Sequence, residues 1–193
     1  MKAKIVLCLC FVFFGCIALF AQNDADSFQE MIIKEGKRID SIKQSAIGKE
    51  FYSFEAMTLN MDSISINDLA GKVTMINLWF EGCAPCIAEF GEIFKLYNKL
   101  KDYPDFQLLS FTTDPPEVAK KAVEKYNINY PVCPISRKYS DNLNFGMGFP
   151  TNIILNKEKK IIFFKSGGPI EQVAVEKEIK KIEDTIMQLL NNN

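Results

Sequence analysis

The chain contains no histidine among its 193 residues. That absence excludes imidazole acid–base chemistry, histidine metal ligands, and nucleophiles of the Ser–His or Cys–His kind. An excess of either charge is also missing: 23 basic residues stand against 24 acidic ones, a formal net charge of −1. Nothing in that balance points to nucleic acid or an anionic surface as a partner. There is a single tryptophan, no internal repeat and no low-complexity linker. What the chain does have is apolar content, 48 %, enough for a core in one ordinary domain with a little to spare.

The N-terminus reads MKAKIVLCLCFVFFGCIALFAQNDADS. Lys2 and Lys4 precede an unbroken apolar run from Ile5 to Ala21, and charge resumes at Asp24. This is the pattern of a secretory signal peptide, expected over residues 1–21 and cut after Ala21. An uncleaved membrane anchor and lipidation at Cys16 are the alternatives; the run sits at the short edge for spanning a bilayer. Export implies a periplasmic or cell-envelope location, where disulfides persist. Cys8, Cys10 and Cys16 leave with the signal, so the mature chain keeps Cys83, Cys86 and Cys133.

Residues 22–47 form an N-terminal extension with an amphipathic helix expected over 24–46. Ser27 and Glu30 make a capping-box pattern at its start. Phe28, Ile32, Ile39, Ile42 and Ala46 recur at helical spacing. The main domain is expected over 48–193. EFYSFEAMTLN and SISI carry partial alternation and predict a β-hairpin. VTMINLWF (73–80) is almost wholly apolar, as a strand buried on both faces must be. A helix is expected from Ala84 to Lys101, with Ile87, Phe90, Phe94, Tyr97 and Leu100 on one face. FQLLSFTT is the next strand. DPPE opens another helix, with Asp114 as the expected cap. YPVCPIS, TNIILN and KKIIFFKS read as further strands, and the residues from Pro169 onward as a closing helix. The order β-α-β-α-β followed by β-β-α indicates an α/β sandwich with a mixed sheet.

Cys83 and Cys86 form a C-x-x-C pair in NLWFEGCAPCIAEF. Zinc would require about four Cys or His ligands, and the mature chain offers three cysteines and no histidine. A purely structural bridge would close a loop too short to restrict the unfolded chain much. A redox pair gives each residue a reason. Cys83 stands at a helix start, where unpaired N–H groups and the dipole favour a thiolate. Pro85 suits an early helical position because it has no N–H. Cys86, further along the same face, can resolve a mixed disulfide formed at Cys83.

With these residues in view, the sequence resembles the thioredoxin-fold oxidoreductases. WFEGCAPC, with Trp79 four before Cys83, is similar to their active-site segment, and GFPT to their cis-proline loop. DLAGKVTMINLWFEGCAPCIAEF is more narrowly similar to the exported TlpA/ResA-type group. The resemblance implies a thioredoxin-like fold with a mixed central sheet flanked by helices, an N-terminal β-hairpin extension and a preceding helix. It implies catalytic Cys83 and Cys86, with Glu89, three after Cys86, as a proton carrier. It places Trp79, Pro85, Phe149 and Pro150 around the substrate, with Pro150 cis and the main chain of Phe149 free to pair with an incoming strand. Asn77 stands where cytoplasmic thioredoxins carry a buried aspartate. Two positions depart from the family: Gly82 replaces a usual aromatic, and Phe149 is bulkier than the common choices.

The function that follows is an exported thiol-disulfide oxidoreductase, acting as a reductase. Its partners would be a membrane thiol-disulfide electron donor and exported cysteine-containing proteins, apocytochrome c among the possible clients. No cofactor and no metal are called for. Cys133 reads as a buried thiol. A thiol peroxidase of the same fold is the alternative enzyme, but it needs Thr or Ser where Phe80 stands. A non-catalytic partner-binding module is the third class, and the intact C-x-x-C speaks against it.

Overall fold

A computed structural model describes residues 29–192. The expected signal peptide and the Ser27 cap lie outside these residues. The chain divides into two compact units, Met1–Ile42 and Lys43–Asn193. Helix α1, residues 29–46, supplies the described part of the first and opens the second. No described helix is long and apolar enough to cross a membrane.

In the second unit, β1 (Glu55–Met57) and β2 (Ser63–Ser65) form the expected antiparallel hairpin. A short 3₁₀ turn, Ile66–Leu69, follows, closed by a Ser65–Asp68 capping box. The elements after it are β3 (Val73–Trp79), α2 (Ala84–Leu100), β4 (Phe106–Thr112), α3 (Pro116–Tyr126), β5 (Val132–Pro134), α4 (Arg137–Leu143), β6 (Thr151–Leu155), β7 (Ile161–Ser166) and α5 (Gln172–Asn191). The main sheet runs β5-β4-β3-β6-β7. Its first three strands are parallel, and β6 and β7 join antiparallel. This is the thioredoxin-like architecture expected.

Strand β3 is buried at every position because the sheet is covered on both faces. Val73, Met75 and Trp79 point into one core with Phe90, Ile93 and Leu96 of α2 and Ile179, Ile182 and Ile186 of α5. Ile76 and Leu78 point into the other core, with Phe54, Ile64, Leu69 and Leu143. Each such side chain contributes about 1.5–3 kcal/mol on burial. The segment ahead of β1 lines the free edge of β7: Gly48 N–H donates to the Ile161 carbonyl and Phe51 N–H to that of Lys159. The start of that edge is thereby paired within the chain.

One local expectation is overturned. Asp114 does not cap α3; Pro115 holds the cap position without a side-chain bond. Asp114 Oδ2 instead accepts from Glu81 N–H at 2.7 Å and from Thr112 Oγ1 at 2.9 Å. Two prolines in succession stiffen the chain there, and the carboxylate is worth more to the loop that leads to Cys83. The other end of α3 closes on Asn127 in the left-handed conformation (φ 53°), which Asn tolerates well.

Candidate active site

The site forms where β3 ends and α2 begins, beside the loop that enters β6. Cys83 is the N-cap of α2 and Pro85 lies in its first turn. The two cysteines are joined as a disulfide, S–S 2.00 Å, with Cα atoms 5.2 Å apart. The amide N–H of Cys86 donates to Cys83 Sγ at 3.3 Å. One of the helix's free amides is thus aimed at the sulfur that would carry negative charge in the reduced state. Cys83 is 5 % exposed and Cys86 1 %. The carbonyl of Phe80 accepts from Cys83 N–H, and Asp114 holds Glu81 N–H, so the loop is fixed from both sides. The Glu81 carboxylate pairs at the surface with Lys125.

Trp79 is placed differently from the expectation that it faces substrate. It is fully buried. Its Nε1 donates to Ser110 Oγ at 2.5 Å, and its ring meets Phe90 edge-on at 5.1 Å. It supports the loop from behind, since burying an indole requires a partner for its N–H. The surface aromatics are Phe80 and Phe149, packed edge-on at 5.4 Å, with the Arg137 guanidinium over Phe149 at 4.9 Å. Gly82 now has a reason. A Cβ there would lie 3.2 Å from Phe80 Cε2. A side chain at position 82 would start against the edge of the Phe80 ring.

The Phe149–Pro150 bond is cis. Its loop is anchored by its neighbours. The Gly148 carbonyl accepts from Thr151 Oγ1 at 2.7 Å and from Asn144 Nδ2 at 2.9 Å. The Pro150 carbonyl accepts from Gly167 N–H at 2.8 Å. None of these bonds uses the main chain of Phe149. Pro150 itself is buried, and Phe149 is half-buried.

Glu89 lies one turn after Cys86 on the same helix and is 1 % exposed. Its Oε2 accepts from Asn152 Nδ2 at 3.0 Å, while its Oε1 has no protein partner. Burial pushes its carboxyl up from 4.5 to about 7; the Asn152 hydrogen bond and the Lys165 charge oppose that rise. Gly168 closes over the group: a Cβ there would stand 3.0 Å from Glu89 Oε1 and 3.3 Å from Pro150 Cγ. Gly168 thus sits against both Glu89 of the cysteine helix and Pro150 of the cis-proline loop.

Cys133 lies on β5, paired in register with Phe111, fully buried and unbonded. Burial pushes its thiol up to about 12, so it stays protonated at neutral pH. Asn152, Gly168 and Lys165 were not singled out from the sequence. A signal for Asn152 was present: it is a polar residue inside the apolar strand TNIIL, at even spacing from Ile154, which faces α2.

Similarity to known proteins agrees with this geometry. The AhpC/TSA family model matches residues 47–164. The thiol-disulfide oxidoreductase ResA of Halalkalibacterium halodurans is 27 % identical over 131 residues, covering 67 % of this chain and 73 % of the relative. ResA of Bacillus thuringiensis strain Al Hakam is 30 % identical over 118 residues, 60 % of this chain and 67 % of its own. Among solved structures, the thioredoxin domain of a thiol-disulfide oxidoreductase from Bacteroides vulgatus superposes with a TM-score of 0.59 at 26 % identity, covering 71 % of this chain and 97 % of that one. The chain therefore belongs to the AhpC/TSA family, and within it stands with thiol-disulfide oxidoreductases of thioredoxin-like fold.

Proposed function

We propose that this protein is an exported protein-disulfide reductase whose working groups are Cys83, Cys86 and Glu89. The observation that carries the reading is Glu89: a buried carboxyl poised at about 7, one turn from the resolving cysteine and, with Pro150 of the cis-proline loop, closely approached by Gly168. A group that titrates near neutrality can both take and return a proton.

In the reduced protein the Cys83 thiolate attacks one sulfur of a client disulfide. A Cys83–client bond forms and the other client sulfur leaves as a thiolate, which takes a proton from solvent. Glu89 then accepts the Cys86 thiol proton. The Cys86 thiolate attacks Cys83 Sγ, the mixed disulfide breaks, and the second client sulfur departs as a thiolate that also takes a proton from solvent. Two electrons and two protons have passed to the client, and the protein is left with the Cys83–Cys86 disulfide. A donor dithiol reverses the exchange, with Glu89 returning its proton to Cys86.

The client chain would lie along Phe149, whose main-chain groups are left out of the loop's own bonds, with Phe80 and Pro85 at the rim. The leader pattern over 1–21 supports export to the periplasm or cell envelope, and a membrane thiol-disulfide protein as the donor. Apocytochrome c is one client class that fits a reductase of this kind. A peroxidase role is disfavoured by Phe80, which stands where that chemistry needs a hydroxyl and is packed against Phe149.

The test is trapping. Cys86→Ser cannot resolve, so it should accumulate covalent adducts with exported cysteine-containing proteins and with its donor, all dissolved by reductant. Cys83→Ser should accumulate none. A Cys86→Ser protein that traps nothing in cells holding thiol-containing exported proteins would sink the reductase reading.

A further inference from the structure

Along β3 and β6, the α2-facing side is apolar except at two places. Along β3 it reads Val73, Met75, Asn77 and Trp79; along β6 it reads Asn152 and Ile154. Asn77 and Asn152 are direct partners in the antiparallel β3–β6 ladder. Asn77 Nδ2 donates to Asn152 Oδ1 at 2.8 Å, and Asn152 Nδ2 donates to Glu89 Oε2 at 3.0 Å. The three residues are 1 %, 2 % and 1 % exposed.

This short chain of bonds has a direction. A side-chain amide has one accepting end and one donating end. With the Asn77 donor on the Asn152 oxygen, the Asn152 nitrogen must face Glu89. With the Asn77 donor in place, a flipped Asn152 would set oxygen against carboxylate and nitrogen against nitrogen, at positions buried from solvent. Among the described residues, Asn152 is the one direct hydrogen-bond donor to Glu89.

We propose that Asn152 is a positioning residue for the redox reaction: its amide, keyed by Asn77, orients the Glu89 carboxyl and sets the pH at which that carboxyl exchanges a proton with Cys86. The proposal rests on the reading of Glu89 as proton carrier given above.

Other groups face Glu89 from the surrounding elements. On β7, Lys165 is the register partner of Asn152, and its charge also favours the carboxylate. Lys165 is itself ion-paired with Glu178 of α5 and partly solvated, so its influence is through space and screened. Ahead of β5, Tyr130 is buried with no protein partner on its hydroxyl; burial and the Glu89 charge both push its phenol upward, so it stays neutral. On α2 itself stand Cys83 and Cys86. None of these fixes the carboxyl's orientation. A donated N–H favours the ionised form directly and holds one oxygen in place. Without it, burial acts almost unopposed. Glu89 would keep its proton to higher pH and could not accept one from Cys86 near neutrality.

The experiment uses the full chain with Asn152→Leu, of similar size but with no donor, and Asn152→Thr, which keeps a shorter donor. The Glu89 carboxyl is titrated in the oxidised protein by carbon NMR, and reductase turnover is followed against pH. In Asn152→Leu the Glu89 midpoint should rise by about one pH unit or more, with Asn152→Thr between it and the parent. The rising limb of the pH–rate profile should move upward with the midpoint. Should the leucine variant fail to fold, the threonine variant carries the test alone. An unchanged Glu89 midpoint in a folded variant overturns the proposal. A midpoint that rises while the pH–rate profile stays put would instead refute the proton-carrier reading and leave the hold of Asn152 on the carboxyl intact.

Discussion

The burial of Glu89 should be measurable as stability, without any client or donor. Its carboxyl goes from an ordinary 4.5 to about 7 in the fold. Because the folded value is the higher one, the native state holds this proton more tightly than the unfolded chain does. Stability therefore falls as pH rises from about 4.5 through about 7, and levels off above. At about 1.4 kcal/mol per pH unit, the fall from this single group over its whole titration is about 3–3.5 kcal/mol, of which pH 4.5 to 8 spans most. Glu89→Gln removes it: the amide oxygen can still accept from Asn152, but the side chain does not ionise. Leaving the new amide nitrogen without a partner costs about 1–3 kcal/mol, and that loss does not depend on pH. Urea unfolding of the oxidised proteins at pH 4.5, 6, 7 and 8 separates the two terms, because all other carboxylates titrate in both proteins and cancel. The variant should gain on the parent by about 2–3 kcal/mol between the lowest and highest pH. A stability difference that stays constant within about 0.5 kcal/mol across that range would refute the argument that burial dominates at Glu89.

Two further outcomes follow from packing. Cys133→Ala should leave reductase turnover intact and lower stability by about 1–2 kcal/mol, as expected for trimming a fully buried side chain; a large loss of turnover with normal unfolding would make Cys133 a third redox cysteine. Gly168→Ala should destabilise by about 1–3 kcal/mol, because its methyl meets Glu89 and Pro150. Gly91→Ala, in mid-helix with nothing within 4 Å, should stabilise by about 0.5–1 kcal/mol; urea curves that fail to separate the two glycines would show the closeness over Glu89 to be unimportant.

The elements were legible because their signals are local. The all-apolar run at β3, the proline before α3 and the period of α2 each depend on neighbours in sequence. So does the cysteine pair. What escaped depends on distance along the chain. Asp114 looks like a helix cap until the fold brings it to Glu81 N–H, 33 residues away. Trp79 looks like a docking residue beside its cysteine until α2 and β4 are seen to enclose it. Glu89 was legible as a position on the Cys86 face, but its partner Asn152 is 63 residues on. Asn152 belongs to a strand whose register no local pattern specifies. Gly168 carries no signal at all, since its constraint is the approach of two side chains from other elements.

The β3–β6 ladder, where the parallel part of the sheet meets the antiparallel part, has a consequence for the order of assembly. Cys83 and Cys86 are neighbours on one helix and meet as soon as that helix forms. The Asn77–Asn152 bond spans 75 residues and the Glu89–Asn152 bond 63. Contacts that distant must first pay the entropy of closing a long loop. The seam is also the one place in the main sheet where the β-α-β-α-β half pairs with the β-β-α half. A chain still threading or folding therefore carries a C-x-x-C that can oxidise like any exposed pair, but not the buried carboxyl that would tune it. On the role proposed for Glu89, the tuning of the cysteine pair would arrive only once the β3–β6 pairing is made, while the bare reactivity of the pair precedes it.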